Sequence, residues 1–284
     1  MLSGPFIPRS WMGATENFDE ADWVLVGMPY DGTTSYRPGT RFGPEAARAA
    51  SWGVETYSPY QRKSLDDLKY FDAGELELPP GNRDKSLAMI KTAARETLAA
   101  GKHWLGVGGE HLVTWPAFEA HLEKYPDIAV VHFDAHADLR DDYLGEKLSH
   151  ATVLRRIADA IGPERMVQIG IRSGPQDEFD WMIENETLLQ SPHQIPHAIQ
   201  KLSGRPIYLT IDLDVLDPSI LPGTGTPEPG GMSFETFLQW LFPFQSLNIV
   251  AADVVELSPH YDPSGVSNVV AAKTIREVLL MTLP

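Results

Sequence analysis

The sequence has no cysteine among its 284 residues, and this absence narrows the kinds of site that the chain can build. Disulfides, thiolate zinc sites, iron–sulfur clusters and cysteine nucleophiles are all excluded. A metal ion in this protein must therefore be held by histidine, aspartate or glutamate. A chain without disulfides also fits a reducing compartment, so we expect a cytoplasmic location.

Basic residues are scarce as well, with 23 lysines and arginines against 39 aspartates and glutamates, a formal net charge of −16. Nucleic acid and anionic lipid are bound by clusters of basic side chains, so we expect neither as a partner. No run approaches the roughly 20 apolar residues that span a bilayer. The residues 1–17 lack the apolar core of a secretory signal. We therefore expect no membrane partner and no export, whereas a cationic substrate is compatible with the acidic balance.

Short apolar runs alternate with segments of helical period along the whole chain. Strands separated by helices predict a parallel sheet with helices on its faces. The runs at 128–131 and 249–252 are apolar on both sides, as a sheet covered on both faces requires. No repeat or linker divides the chain, so we expect a single domain over 1–284. The predicted strands are 23–28, 69–72, 104–107, 128–134, 166–171, 187–189, 207–212 and 249–255, and the predicted helices are 44–52, 85–100, 115–124, 150–161, 175–184, 193–202, 233–241 and 266–281.

Carboxylates and imidazoles are concentrated where three of the predicted strands end. One strand ends in Val-Gly-Gly-Glu-His at 107–111, the next in Asp-Ala-His-Ala-Asp at 134–138, and a later one in Asp-Leu-Asp at 212–214. In an open parallel sheet, ligands bind beyond the carboxyl ends of the strands, so the three segments can share one crevice. The alternate spacing within the second and third segments predicts polar groups on one side of an extended chain.

The second and third segments, together with His111 of the first, supply four carboxylates and two imidazoles. Clustered carboxylates repel one another and raise one another's pKa values unless a cation is present. Two divalent ions balance four carboxylates beside two neutral histidines, so we infer a two-metal centre. Oxygen ligands with some imidazole and no thiolate suit manganese best, with magnesium or another divalent ion as the alternative. The predicted metal ligands are His111, Asp134, His136, Asp138, Asp212 and Asp214.

In this order, Gly-Gly-Glu-His at 108–111, Asp-Ala-His-Ala-Asp at 134–138 and the segment 210–231 resemble the three signatures of the ureohydrolase family, which includes arginases and agmatinases. Residues 35–44 look like the early loop of that family, and residues 255–259 look like its late glutamate motif. The resemblance covers nearly the whole chain. It implies a three-layer α/β/α fold with an eight-stranded parallel sheet, two Mn²⁺ ions per subunit, and a homo-oligomer such as a trimer or hexamer.

By position, the resemblance divides the predicted ligands between two manganese ions. Asp134 and Asp212 would bridge the ions, and a hydroxide between the ions would attack the guanidinium carbon of a substrate. The first ion would be held by His111, Asp134, Asp138 and Asp212, and the second by His136, Asp134, Asp212 and Asp214.

The resemblance also implies roles for individual residues in the reaction. Glu256 would bind the planar guanidinium, and His150 would contact the substrate and shuttle a proton. Asp138 would hydrogen-bond the hydroxide, and Thr226 would edge the guanidinium pocket. Without the resemblance, we would interpret Glu256 as an exposed acid at a strand end, His150 as a helix-start residue and Thr226 as part of a rigid turn.

The segment 139–149 bears on which guanidino compound is bound. Arginases hold the α-carboxylate and α-amine of arginine through a polar Asn/Ser/Thr-rich loop at this place, and that polar set is missing here. Asp141, Asp142 and Glu146 instead form an acidic mouth, which favours a dication over a carboxylate-bearing substrate. We therefore expect hydrolysis of agmatine to putrescine and urea, a reaction of polyamine biosynthesis.

Other functions remain open at this point. The same chemistry would serve a guanidinobutyrase, a guanidinopropionase, an arginase or a formimidoylglutamase. A non-catalytic metal-binding member of the fold would keep the ligands but would have little reason to keep both His150 and Glu256. A single-zinc amide deacetylase of related architecture would bind one zinc ion per chain in place of two manganese ions.

Overall fold

A computed structural model describes residues 6–7 and 10–282, which are organised around one large sheet. The strands are β1 (Phe6–Ile7), β2 (Trp23–Met28), β3 (Tyr57–Ser58), β4 (Lys63–Ser64), β5 (Tyr70–Leu76), β6 (His103–Gly108), β7 (Ala129–Phe133), β8 (Met166–Ile169), β9 (Leu188–Leu189), β10 (Pro206–Asp212) and β11 (Asn248–Val255). The large sheet has the order β1-β5-β2-β6-β11-β10-β7-β8-β9, and β3 and β4 form a separate antiparallel pair.

Eight neighbouring strands of the large sheet, from β5 to β9 in spatial order, run parallel. Strand β1 is added to β5 in the antiparallel direction. The helices are α1 (Gly43–Ser51), α2 (Arg83–Ala99), α3 (Thr114–Lys124), α4 (Val153–Ile161), α5 (Gln176–Glu184), α6 (Ile195–Leu202), α7 (Phe234–Leu241) and α8 (Val266–Met281). Among these described helices, none has the length and apolarity needed to cross a bilayer.

Alternate side chains of the central strands fill two separate cores, one on each face of the sheet. Leu25 and Val131 belong to the core that contains the buried sides of α1, α6, α7 and α8. Val24 and Val130 point the other way, into the core formed with α2, α3, α4 and α5. Strands buried on both faces must be apolar throughout, which explains the continuous hydrophobic runs in the sequence. The predicted three-layer α/β/α fold with eight parallel strands is confirmed.

All eight predicted strands and all eight predicted helices are present, with shifts of a few residues at their ends. The predicted helix 150–161 is divided into a 3-10 turn, His150–Thr152, and helix α4. Strand β5 extends beyond the predicted 69–72, past Gly74, whose φ of +81° interrupts the regular strand pattern. The sequence reasoning missed β1 and the β3–β4 pair, because two-residue strands are too short to show a period.

Candidate active site

The four strands at the centre of the sheet, β6, β11, β10 and β7, end next to one another and open into one cavity. His111 follows β6, the segment Asp-Ala-His-Ala-Asp at 134–138 follows β7, and Asp212 ends β10. Strand β11 lies between β6 and β10 and brings Glu256 into the same group. The residue pattern pointed to three strand ends, the resemblance pointed to Glu256 after a fourth, and the strand order brings the four ends together.

The chain can turn sharply after β6 because position 109 is a glycine. The Gly109 N–H donates to Met28 O at 2.9 Å, and the Glu110 N–H donates to Tyr30 O at 2.8 Å. A Cβ atom at Gly109 would lie 1.9 Å from Tyr30 O, so no other residue fits against that backbone. The turn directs His111 into the cavity at the start of a 3-10 turn.

The segments 134–138 and 212–214 do not form extended chains, so the prediction that alternate spacing places their polar groups on one side of an extended chain was wrong. The Asp134 side chain accepts the His136 N–H at 2.5 Å, and Asp138 has a left-handed φ of +53°. The Asp212 side chain accepts the Asp214 N–H at 2.9 Å at the start of a 3-10 turn. Tight turns stabilised by the aspartates themselves, and not strand alternation, bring these carboxylates to one side.

His111 faces three of the predicted ligands through one ring nitrogen. Its Nδ1 lies 3.0 Å from Asp134 Oδ2, 3.1 Å from Asp138 Oδ2 and 3.5 Å from Asp212 Oδ2. All four side chains are less than one-tenth exposed. These four residues are the set that the resemblance assigns to one ion.

His136 forms a second group that shares Asp134 with the first. Its Nδ1 lies 3.0 Å from Asp214 Oδ2 and 3.5 Å from Asp134 Oδ1. The side chain of His136 is one-quarter exposed, so this group is open to the cavity. His132 adds a further contact, with its Nε2 2.9 Å from Asp134 Oδ2.

Histidines are the basic groups that face the aspartates of this cluster. Burial alone would raise the pKa of Asp134, but hydrogen bonds with His111, His132 and His136 hold it well below its ordinary value. Burial likewise opposes the charge of Asp214, which raises the pKa of His136 to about 12. Within the described residues, no lysine or arginine forms a salt bridge with any of the four ligand aspartates. Burial raises the pKa of Asp212 well above its ordinary value, and the charges of Asp214 and Asp134 raise it further. Burial and the charge of Asp134 raise the pKa of Asp214 too. Two triads that share Asp134 bring their ligand atoms close enough together to hold a metal ion: His111, His132 and Asp134 form one, and Asp134, His136 and Asp214 form the other. His132 was not among the predicted ligands.

Glu256 is buried, which contradicts its interpretation from the residue alone as an exposed acid. It is 4 % exposed, it has a left-handed φ of +69°, and its N–H donates to Gly109 O at 2.8 Å. One carboxylate oxygen accepts the His111 N–H at 2.8 Å. Burial, and then the charge of Glu110, raise the pKa of Glu256 well above 4.5. A strained backbone that holds a buried acid in the cavity is typical of a functional position.

His150 lies on the cavity wall, at the start of a 3-10 turn. Its Nε2 is 3.1 Å from the Ser35 hydroxyl, and its N–H donates to Thr33 Oγ1 at 3.0 Å. Burial lowers the pKa of His150 from 6.5. Thr226 lines the same cavity, and its hydroxyl lies 3.3 Å from Asp214 Oδ2. Both residues therefore reach the predicted metal cluster or its cavity.

A sequence profile of the arginase family matches residues 21–281. The chain belongs to the arginase family. It is 49 % identical over 269 residues to the agmatinase of Bacillus anthracis, covering 93 % of both chains, and 46 % identical over 277 residues to the agmatinase of Bacillus subtilis strain 168, covering 96 % of both. Its structure superposes with a TM-score of 0.85 on the agmatine ureohydrolase of Thermoplasma volcanium, at 30 % identity, covering 97 % of this chain and 94 % of the other. The chain is accordingly an enzyme of the ureohydrolase type.

The acidic mouth predicted for this arginase-family chain is partly neutralised. Asp141 pairs with Arg156 at 3.2 Å, and Glu146 pairs with Arg83. Besides Glu256, the cavity wall outside the metal cluster carries the acid Glu178, which is 5 % exposed. One oxygen of Glu178 accepts the N–H of residue 139 at 3.0 Å, next to the left-handed Asp138. Burial, and then the charge of Asp138, raise the pKa of Glu178 to about 7.

Sequence reasoning missed several buried polar residues around the cluster. His132 and Asp253 interrupt strands that are otherwise apolar, and Thr210 alternates with Asp212 on β10, so each carried a visible signal. Glu110 lay in the Val-Gly-Gly-Glu-His segment but was given no role, and Glu178 carried no signal, because an acid on a helix is ordinarily exposed.

Proposed function

We propose that this arginase-family chain is a binuclear manganese hydrolase that cleaves the guanidinium group of agmatine, releasing putrescine and urea. The observation that carries the proposal is the cluster of four buried carboxylates with His111 and the partly exposed His136, and with Glu256 beside it. The chemical class of the substrate is supported by the two Bacillus agmatinases, which resemble the chain over more than nine-tenths of its length.

The metal would be held by the two groups that share Asp134. When bound, two divalent ions lower the pKa of water, so that a hydroxide nucleophile is available near neutral pH. Manganese suits the donor set because aspartate oxygens outnumber imidazole nitrogens and no thiolate is present. The ligands assigned to the first ion are His111, Asp134, Asp138 and Asp212, and those assigned to the second are His136, Asp134, Asp212 and Asp214.

Glu256 is suited to hold the guanidinium. One of its oxygens is fixed by the His111 N–H, and the other has no hydrogen-bond donor among the described residues. Gly225 lies beside that second oxygen. A Cβ atom added at Gly225 would lie 3.4 Å from the oxygen, so the absence of a side chain leaves space for a planar group. Paired N–H donors of a guanidinium can therefore bind the carboxylate and fix the orientation of the substrate.

The reaction also needs a proton to be moved from the attacking water to the leaving amine. A C–O bond forms at the guanidinium carbon, one C–N bond breaks, and the amine leaves only when it is protonated. Asp138 is assigned to accept a hydrogen bond from the attacking oxygen, and His150 is assigned to deliver the proton to the amine. The Ser35 hydroxyl can exchange that proton with His150 Nε2 at 3.1 Å.

Guanidino acids are the second candidate substrates because of Arg140. This residue lines the cavity, and its guanidinium lies 5.3 Å from the centre of the Tyr143 ring. A carboxylate at the far end of a substrate could pair with it. The buried Glu178 on the same wall favours a cation instead, since a cation beside it stabilises its ionised form, whereas a second carboxylate does not.

A panel of substrates separates the two candidates. Manganese-loaded protein is given agmatine, arginine and 4-guanidinobutyrate, with urea as the measured product, and formimidoylglutamate, with glutamate as the measured product. We expect kcat/KM for agmatine to exceed that for either guanidino acid by at least about 100-fold, since like charges in contact cost several kcal/mol. Faster turnover of a carboxylate-bearing substrate would rule out agmatine as the preferred substrate. Release of neither product would favour a non-catalytic member of the fold.

A further inference from the structure

A chain of buried hydrogen bonds lies behind His111, on the side away from the metal cluster. Its Nε2 is 2.9 Å from Thr210 Oγ1, and the Thr210 hydroxyl donates to Asp253 Oδ1 at 2.6 Å. The Tyr208 hydroxyl donates to the other oxygen of Asp253 at 2.7 Å. All four side chains are at most 1 % exposed, and of the four only His111 lines the cavity.

Strand pairing holds this chain of contacts rigidly. Thr210 on β10 is directly opposite Asp253 on β11 in the parallel register. Tyr208, Thr210 and Asp212 alternate along β10 and so lie on the same side of the sheet. The strand that carries the predicted ligand Asp212 therefore also carries the hydroxyl that contacts the ring of His111.

The positions of the protons follow from what each group can donate. An ionised aspartate only accepts hydrogen bonds, and Asp253 accepts from the hydroxyls of Thr210 and Tyr208, with the Thr114 hydroxyl as a further donor. Thr210 has a single O–H proton, and this proton is donated to Asp253. The oxygen of Thr210 must then accept a proton from His111 Nε2. A neutral imidazole protonated at Nε2 has its lone pair at Nδ1, the atom that faces Asp134, among others, at 3.0 Å.

We propose that Thr210 and Asp253 are positioning residues, which fix the Nε2–H tautomer of His111 and aim the Nδ1 lone pair at the metal ion. The inference rests on the metal centre proposed above. In the neutral ring the Nδ1 lone pair faces three carboxylates, an arrangement that a metal ion between them stabilises, so the hydrogen-bond chain orients the ring for a metal ion. Tyr208 completes the solvation of Asp253 but does not contact His111.

Metal binding, and not turnover, is the direct test. Mn²⁺ is added to the metal-free protein, and the electron paramagnetic resonance signal of free aqueous Mn²⁺ gives the dissociation constant. Thr210→Val keeps the shape of the side chain but removes the hydroxyl, and we expect Mn²⁺ to bind about 10- to 100-fold more weakly. Thr210→Ser restores the hydroxyl, and we expect it to bind within about threefold of the wild type.

Tyr208→Phe is the matched control, because it removes a hydroxyl from the same carboxylate in the same strand without touching His111. We expect its affinity for Mn²⁺ to stay within about threefold of the wild type. Asp253→Asn is a second variant that keeps the packing, and we expect it to weaken binding as well. If Thr210→Val does not fold, the Mn²⁺ affinity of Asp253→Asn tests the inference in its place.

Two results would overturn the inference: wild-type affinity in Thr210→Val, or equal losses in Thr210→Val and Tyr208→Phe. If the wild-type protein itself bound no Mn²⁺, the proposed metal centre and this inference would both be wrong. Normal metal binding without turnover of any guanidino compound would contradict the proposed function while the positioning role of Thr210 still stood on the variant affinities.

Discussion

Replacement of Glu256 by glutamine is expected to lower kcat/KM for agmatine by about 10²- to 10³-fold, because it leaves a buried guanidinium without its charged partner. The amide oxygen of Glu256→Gln can still accept the His111 N–H that Glu256 accepts at 2.8 Å, so the fold should persist. The amide nitrogen then faces the N–H donors of the substrate and cannot accept from them. Steady-state release of urea measures the effect.

The control for this variant is Glu184→Gln, a charge-matched change at an exposed position on α5. We expect Glu184→Gln to keep the activity of the wild type, and we expect both variants to keep the same metal content. Wild-type kcat/KM in Glu256→Gln would show that another group holds the guanidinium. Loss of metal from Glu256→Gln would show instead that the residue acts through His111.

Replacement of Asp134 by asparagine is expected to have the second large effect, with urea release reduced by about 10³-fold or more, because both metal groups share this carboxylate. Asp134 Oδ2 is 3.0 Å from His111 Nδ1, and Asp134 Oδ1 is 3.5 Å from His136 Nδ1. The oxygens also face His132 and the His136 N–H, so an amide must direct its nitrogen at one of these donors.

Metal content and activity are measured together for Asp134→Asn, and Asp180→Asn, at an exposed position on α5, is the control. We expect Asp134→Asn to retain fewer than two manganese ions per chain and Asp180→Asn to retain both. An Asp134→Asn protein with two bound ions and normal turnover would contradict the shared-ligand assignment. Another carboxylate would then have to be assigned as the ligand that the two metal ions share.

The layers of the fold could be predicted because period and burial are local properties of the sequence. Runs such as 128–131 are apolar on both sides and therefore predict strands covered on both faces, as β7 and its neighbours are. The order of the strands could not be predicted in the same way. Nothing in residues 248–255 states that β11 lies between β6 and β10, and that position is what buries Glu256 beside His111.

The site was identified from residue types, whereas its geometry depends on unusual backbone conformations. Asp138 and Glu256 both have positive φ values, +53° and +69°, which no propensity argument predicts for these residues. The surroundings impose these conformations, for example through the Glu178 carboxylate next to Asp138. The charges at the mouth depend on distant partners too, since Arg83 at the start of helix α2 reaches Glu146 in a loop. Contacts of this kind are properties of the packed chain.

Titration of the metal-free protein with Mn²⁺, with urea release from agmatine measured at each addition, tests the central claim most directly. Two groups that share Asp134 predict that activity appears as the second ion binds and stops increasing at two ions per chain. Full activity with one ion per chain, or one tightly bound zinc ion and no urea at any manganese concentration, would contradict the binuclear hydrolase.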